Sequence, residues 1–333
     1  MSATASSAPA VSLGRATGLQ ADFRCPVCHG GLQGQGEAGF RCLSCGEHYP
    51  LLQGRPVLMS PASRAYFDLG LSDGDGRRMV EEYAAAPGPA RPSAWRRWLG
   101  WLRPPDIMHR YYPDPARGPG APLFEKAGPE VRLLNVGGGP YRVSAQEITL
   151  NIGPFPGVDL IADAHEIPLA DGSVDAIFSL AVLEHVTDPK RVASEMMRVL
   201  KPGGWLYSEA PFIFFFHGYP ADFTRFTRDG LARLFTGLEA VEVGMTHGPV
   251  SAVLQSGNMA LQLVVPERPA LIRKLFNGVY RWLLFPFKYL DIPLQNHPQA
   301  HILAGGFYIR GRKPVAEPGQ GGQTPLEPAR EEA

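Results

Sequence analysis

Between Leu133 and Pro211 the chain alternates five short apolar runs with turn-forming loops, and this alternation constrains the fold more than any other feature. "VRLLNV" reads as a buried strand closed by Gly137-Gly138-Gly139. "EITLNI" reads as a second strand ending near Asn151. "GVDLIADAHEIPLADGS" gives a third that ends at Asp163, and "VDAIFSLAVLEHV" a fourth that runs out into a loop. "DPKRVASEMMRVLKPGG" predicts a helix with Asp188 as N-cap, Pro189 at the first helical position, and Val192, Met196, Val199 and Leu200 on one face. Pro202-Gly203-Gly204 stops that helix and "WLYSEAPF" starts a fifth strand. Alternating strands and crossovers predict a parallel α/β sheet, in which ligands sit at the carboxyl ends of the strands. Gly137, Gly139, Asn151, Asp163 and the residues after Ser179 then share one edge.

The glycine loop alone does not name its ligand. A dinucleotide fingerprint requires Gly-x-Gly-x-x-Gly opening a helix, and the third glycine position is Arg142. A phosphate-binding P-loop is excluded because no Gly-Lys-Ser/Thr follows. The downstream residues decide. A glycine-rich first loop, a polar residue ending strand two, "DAHEIPLADGSVD", "LEHV" and "RVLKPGG" come in the order that resembles class I S-adenosylmethionine-dependent methyltransferases.

That resemblance implies a Rossmann-like sheet and S-adenosyl-L-methionine as cofactor. It implies that Gly137 and Gly139 let the backbone approach the methionyl part and that Asn151 contacts the ribose hydroxyls. Asp163, with the Ala164 amide beside it, would accept from the adenine amino group, and Leu180 would line the sulfonium side. Two departures stand out: Asn151 replaces the usual acid, and the span after Gly139 leaves about two turns for a first helix. Asp159 is a rival ribose ligand that would consume the third strand. Asp171 and Asp175 read as turn and strand-edge residues, and Glu184 and His185 as caps of the loop after strand four.

The methyl acceptor belongs beside this edge. After strand five, "APFIFFFHGYPADFTRFTRDGLARLF" brings His217, Tyr219, Asp222 and Arg225 into a loop, with Thr227 as N-cap of the next helix. Methyl transfer is an in-line displacement helped by positioning, with a general base when the acceptor is a hydroxyl. His217 suits the base because its ordinary pKa lies near neutrality; Asp222 would orient it or bind substrate. A structural role for both is the competing reading.

All four cysteines fall between Cys25 and Cys45, as two Cys-x-x-Cys pairs. Each pair can form a turn aiming two thiolates at one point, and Cys25, Cys28, Cys42 and Cys45 together make a tetrahedral set suited to structural Zn2+. The window "CPVC", "CLSCGEHYPLLQGRPVLM" resembles the zinc-ribbon subunit that activates RNA and protein methyltransferases, and bacterial ribbons fused to such enzymes. His29 and His48 read as exposed loop residues.

Two segments bear on partners. "AWRRWLGWLRPP" interleaves Trp95, Trp98 and Trp101 with arginines, a pattern fitting either a membrane-water interface or indoles covering a core. In an insertion at about residues 251–299, "ALIRKLFNGVYRWLLFPFKYL" carries an apolar stripe opposite Arg273, Asn277, Arg281 and Lys288. This 270–290 helix either covers an acceptor pocket or lies on a membrane. Lys+Arg and Asp+Glu balance at 32 each, so the chain shows no strong nucleic-acid signal. The first twenty residues lack a signal-peptide core, no apolar run reaches the roughly 20 residues of a membrane span, and the last twenty form a polar Pro/Gly tail. A cytoplasmic protein, peripheral at the membrane if at all, is expected.

The expected organisation is a disordered lead over 1–20, a zinc ribbon over 21–60, a helical linker or lid over 61–125, a class I methyltransferase domain over 126–313 and a disordered tail. The expected activity is methyl transfer, with O-methylation favoured, to a small-molecule, glycan or lipid-linked acceptor. Two rivals are a degenerate methyltransferase-fold binding protein whose ribbon recruits a partner or RNA, and an NAD-dependent oxidoreductase. The latter is disfavoured by Arg142 and by the missing acid after strand two.

Overall fold

Seven strands of a single sheet and a small cysteine module attached to its edge set the position of every candidate residue. The computed structural model describes residues 19–67, 103–112, 118–121, 131–139, 142, 147–217, 221–265 and 270–315. Trp95, Trp98, Trp101 and Tyr219, the terminal segments, and all but Arg142 of the stretch holding the expected first helix lie outside the described residues.

In the cysteine module, β1 (Leu32–Gly34), β2 (Phe40–Cys42) and β3 (His48–Tyr49) form an antiparallel sheet in that order, followed by the hairpin of β4 (Leu51–Leu52) and β5 (Arg55–Pro56) and the helix α1 (Pro61–Phe67). Gly39 turns into β2 at φ +99°, where a Cβ would lie 2.1 Å from the Tyr49 carbonyl oxygen; no other residue fits there.

The large sheet contains β6 (Leu133–Val136), β7 (Glu147–Asn151), β8 (Leu160–Ile161), β9 (Val174–Leu180), β10 (Leu200–Pro211), β11 (Glu239–His247) and β12 (Gly306–Arg312). Their order is β11-β12-β10-β9-β6-β7-β8. The pairs β6–β7, β6–β9, β7–β8 and β9–β10 are parallel, whereas β12 runs antiparallel to both β10 and β11. This is the expected Rossmann-like, mostly parallel sheet, with β12 as its antiparallel member.

Between β9 and β10 lies α2 (Pro189–Val199). Asp188 accepts from the Arg191 amide at 3.0 Å, and Val192, Ala193, Met196 and Val199 are buried on one face. The helix stops three residues before Pro202. Leu200 already pairs with Val174 in the sheet, and a register shift then separates it from Trp205. The third strand likewise ends at Ile161 rather than Asp163, because Asp163 caps the turn Ala164–Glu166. Thr227 caps α3 (Arg228–Leu234) as expected, accepting from the Gly230 amide at 3.0 Å.

The cysteine module closes the β8 edge, which would otherwise present unpaired backbone groups. Val57 pairs in parallel with Ile161, and Phe23 faces Leu169 antiparallel. The Leu58 amide donates to the Ile161 carbonyl at 2.9 Å and the Arg24 amide to that of Pro168 at 3.0 Å. Phe23, Phe40 and Tyr49 are fully buried in one core with Leu160, Ile167 and Leu169. Module and sheet therefore bury each other's apolar surface.

The insertion between β11 and β12 contains α4 (Pro249–Val264), α5 (Ala270–Leu284) and α6 (Asp291–Leu294). The buried Asp291 caps α4 by accepting from the Val250 and Ser251 amides, both at 2.9 Å. In α5 no residue is buried. Tyr280 and Arg281 point inward to the Leu254 and Pro105 carbonyls, while Leu271, Leu275 and Leu283 are 76%, 63% and 67% exposed. The apolar stripe faces outward. Among the described residues, no helix is long and apolar enough to cross a membrane.

Candidate functional site

A cavity of about 490 Å³ lies at the carboxyl ends of β6, β7 and β9. The glycine loop forms one side. Gly137 sits at φ +75°, and a Cβ there would come within 2.2 Å of Val182 Cγ2. A Cβ on Gly139 would meet nothing within 4 Å although the residue lines the cavity. Glycine at 139 thus keeps room for a ligand to approach the backbone.

Asn151 ends β7 beside this loop. Its Nδ2 donates to the carbonyls of Gly137 (3.2 Å) and Gly138 (2.7 Å), and its Oδ1 accepts from the Ile152 amide at 2.7 Å. A carboxylate could not donate to two carbonyls, so the amide braces the glycine loop in a way the usual acid cannot. Arg142 Nη2 donates to both carboxylate oxygens of Asp159, at 2.9 and 2.8 Å, and Nη1 donates to the Glu147 carbonyl at 2.7 Å. The residue that breaks the dinucleotide pattern ties the loop to the β7–β8 connection. Asp159 also accepts from the Thr149 amide at 2.9 Å, which occupies it structurally.

Asp163 and Ala164 line the cavity from the turn after β8. Asp163 Oδ1 accepts from the His165 amide (2.9 Å) and ring (2.7 Å), and Oδ2 from the Ser63 hydroxyl at 2.8 Å. Burial opposes its charge, and the bonds from His165 and Ser63 outweigh that, holding the carboxyl below the ordinary range. Ser63 belongs to α1, whose Tyr66 and Phe67 form another wall of the cavity. The sequence gives the 61–125 segment only a linker or lid role, whereas its first turns wall the cavity. A Pro61-initiated helix after an apolar "VLMS" was the available sequence signal.

Leu180 does not line the cavity. It packs with Leu133, Phe178, Tyr207 and Tyr308 in a separate apolar cluster. The next residue, Ala181, is left-handed at φ +52°, which redirects the chain so that Ala181 and Val182 line the cavity instead. Period-two alternation along β9 already separates residue 180 from its neighbours, but the turn at 181 leaves no sequence signature.

At the acceptor end, His185 and His217 line the cavity. The His217 amide donates to Asp222 Oδ2 at 2.9 Å. Asp222 is also bound by both terminal nitrogens of Arg225, and that pairing holds its carboxyl at about 2. Asp222 does not appear in the wall of this cavity; its contacts fix the His217 loop. Beneath the two imidazoles lies Glu184, 0% exposed, with no hydrogen-bond partner among the described residues at either carboxylate oxygen. Burial pushes its carboxyl up to about 7. The Glu184 carbonyl accepts from the Phe223 amide at 2.7 Å, which joins the Leu183–His185 turn to the His217 loop.

The four cysteine sulfurs converge within 4.8 Å of one another, with Cys28–Cys42 at 3.5 Å and Cys25–Cys45 at 3.6 Å. A tetrahedral zinc with Zn–S bonds of about 2.3 Å would space its thiolates at roughly 3.8 Å, so the set fits. The Ser44 and Cys45 amides each point at Cys42 Sγ at 3.4 Å, and the Tyr49 hydroxyl at Cys25 Sγ at 2.9 Å. These are donors that a thiolate needs.

Residues 142–208 match the profile of a methyltransferase domain. That stretch spans β7 to β10 and includes Asn151, Asp163, Ala164 and the Leu183–His185 turn. An uncharacterized 37.1 kDa protein in transposon TN4556 of Streptomyces fradiae is 36% identical over 99 residues, 28% of this chain and 28% of that one. An uncharacterized methyltransferase of Mycobacterium bovis is 37% identical over 113 residues, 32% of this chain and 41% of that one. The chain thus spans well under half the length of these curated relatives. A crystal structure of a SAM-dependent methyltransferase from Archaeoglobus fulgidus aligns over 66% of this chain and all of that one, at 16% identity and a TM-score of 0.38.

Proposed function

We propose that this protein is an S-adenosylmethionine-dependent methyltransferase carrying a structural zinc in its N-terminal ribbon. One observation carries the reading: the cavity at the carboxyl strand ends is bordered by an open glycine, a braced glycine loop and a buried carboxylate on successive strands. The cofactor would supply an electrophilic methyl group on a sulfonium. Gly137 and Gly139 would admit its methionyl part. Asn151 would hold the loop and present its remaining acceptor capacity to the ribose. Asp163 and Ala164 would receive the adenine, with Tyr66 and Phe67 packing on it. The domain match over 142–208 supports the same class. Calorimetric titration with S-adenosylhomocysteine tests the reading directly.

We assign O-methylation as the finer reaction, with His217 activating an acceptor hydroxyl and Asp222 as its positioning residue. His217 lines the cavity and the Asp222–Arg225 pair fixes its loop. For the acceptor, a lipid-linked molecule is favoured over a free small molecule or glycan. Among the described residues, none of the insertion lines the cavity, which favours the membrane-facing use of its stripe. Its outward stripe of Leu271, Leu275, Val279 and Leu283 comes with Arg273, Lys274, Arg281 and Lys288 and with no acid between 270 and 290. That combination complements an anionic lipid surface. The Ile213 amide donates to the Ala304 carbonyl at 3.2 Å, which links the end of the insertion to the loop leading to His217.

A further inference from the structure

Three side chains beside the cavity form an arrangement that neither the cofactor nor a lone base accounts for. Glu184 Oε1 lies 3.5 Å from His217 Nε2 and 3.7 Å from His185 Nε2. The candidate ligating atoms of the three residues all fall within 4.8 Å of one another. The Glu184 carboxylate is 0% exposed, and neither oxygen has a hydrogen-bond partner among the described residues. A fully buried carboxylate with no side-chain donor in contact is disfavoured in its charged form, and the field of Arg225 offsets that cost only in part.

The protons on the two imidazoles are fixed by what their other nitrogens face. His185 Nδ1 points at the Ala221 carbonyl, and His217 Nδ1 at the Phe215 carbonyl at 3.2 Å. A carbonyl only accepts, so each Nδ1 carries the proton. In the neutral rings both Nε2 atoms then hold bare lone pairs, 3.5 and 3.7 Å from Glu184 Oε1. When the Glu184 carboxyl is ionised, two lone pairs and a carboxylate converge with no proton between them, an arrangement that a cation satisfies. Arg225, the nearby cation, is engaged by both oxygens of Asp222. Donation of the distal ring nitrogen to a backbone carbonyl is the usual outer-shell support of a metal-ligating histidine.

We propose that Glu184, His185 and His217 bind one divalent first-row metal ion through a carboxylate and two Nε2 atoms, with its open positions toward the cavity. Two nitrogens and one oxygen suit such ions and leave coordination sites for an acceptor oxygen. The site is separate from the cysteine cluster in position and in ligand softness. Its role in transfer rests on the methyltransferase reading; its existence does not. In that role the ion lowers the pKa of a bound acceptor hydroxyl, whose proton passes to solvent. The oxygen then forms its bond to the sulfonium methyl carbon, the C–S bond breaks, and its electron pair returns to sulfur. The metal keeps its oxidation state, and His217 activates the hydroxyl by holding the ion that binds it.

Mn2+ tests this best, because thiolates bind it poorly and the zinc ribbon will not compete for it. The full-length protein with its ribbon zinc is titrated with MnCl2, and free Mn2+ is read by electron paramagnetic resonance. The proposal predicts one bound Mn2+ per chain, with Glu184→Gln and His217→Asn each weakening it at least about tenfold. S-adenosylhomocysteine affinity of His217→Asn should be unchanged. If Glu184→Gln fails to fold, His217→Asn carries the test, since that side chain is partly exposed. The proposal is overturned if the wild type removes no Mn2+ from solution, or if the variants bind it as well as wild type does. Failure of S-adenosylhomocysteine to bind would instead count against the methyltransferase reading.

Discussion

The Ser63 hydroxyl donates to Asp163 Oδ2 at 2.8 Å, joining the helix that follows the cysteine module to the carboxylate at the heart of the cavity. One hundred residues separate the two in sequence. Ser63 thus holds one oxygen of a carboxylate whose other oxygen is held by His165. Ser63→Ala leaves Asp163 less fixed and removes a bond to a charged group, an effect of about 1–2 kcal/mol. S-adenosylhomocysteine affinity should fall roughly five- to thirtyfold on that scale. Unchanged affinity by calorimetry would show that the contact does not shape the site.

On the proposed function, the same linkage would tie the cysteine module to cofactor binding. Cys42→Ser should release zinc and loosen the module, because three thiolates do not complete a tetrahedral site. Since the module shares its core with Leu160, Ile167 and Leu169, the melting temperature should drop and cofactor affinity with it. Elemental analysis and a thermal scan check this. Full zinc content at unchanged melting temperature would contradict it.

The outward stripe of α5 predicts binding to anionic vesicles. Leu275→Glu with Leu283→Glu places two carboxylates on that face and should abolish co-sedimentation with phosphatidylglycerol-containing vesicles while sparing S-adenosylhomocysteine binding. Neutral vesicles should retain less wild-type protein. A wild type that ignores vesicles and elutes as a dimer, which the double variant converts to a monomer, would assign the stripe to a second copy of the chain.

His247, at the end of β11, gives a pH dependence with a definite sign. Burial lowers its pKa to about 4, and Arg110 and His109 add to the effect while Asp106 opposes it. Its unfolded value is near 6.5, so between those values the unfolded chain takes up a proton that the folded chain does not. Stability therefore falls as pH drops from about 6.5 toward 4, by at most about 3 kcal/mol from this group. His247→Gln should flatten melting temperature against pH over that interval. An unchanged slope would remove His247 as the cause.

The alternation of strands and helices and the ligand edge were legible because strand-turn-helix punctuation is local: Asp188, Pro189 and Thr227 act within a few residues. The four cysteines were legible because their spacing alone brings the thiolates together. Three features were not. The role of Asn151 lies in carbonyls thirteen and fourteen residues away, which a type substitution cannot reveal. Leu180 was misplaced because the left-handed turn at Ala181 decides which side chain reaches the cavity. Glu184 read as a loop cap because its isolation under two imidazoles depends on the His217 loop returning beside it.

The most direct measurement is calorimetric titration of the full-length protein with S-adenosylhomocysteine, alongside Asp163→Ala. The account predicts one site per chain in the wild type, with affinity reduced at least about tenfold in the variant, as expected when a charged acceptor is removed from a buried site. No heat of binding from the wild type, together with binding of NADH to the same cavity, would contradict it.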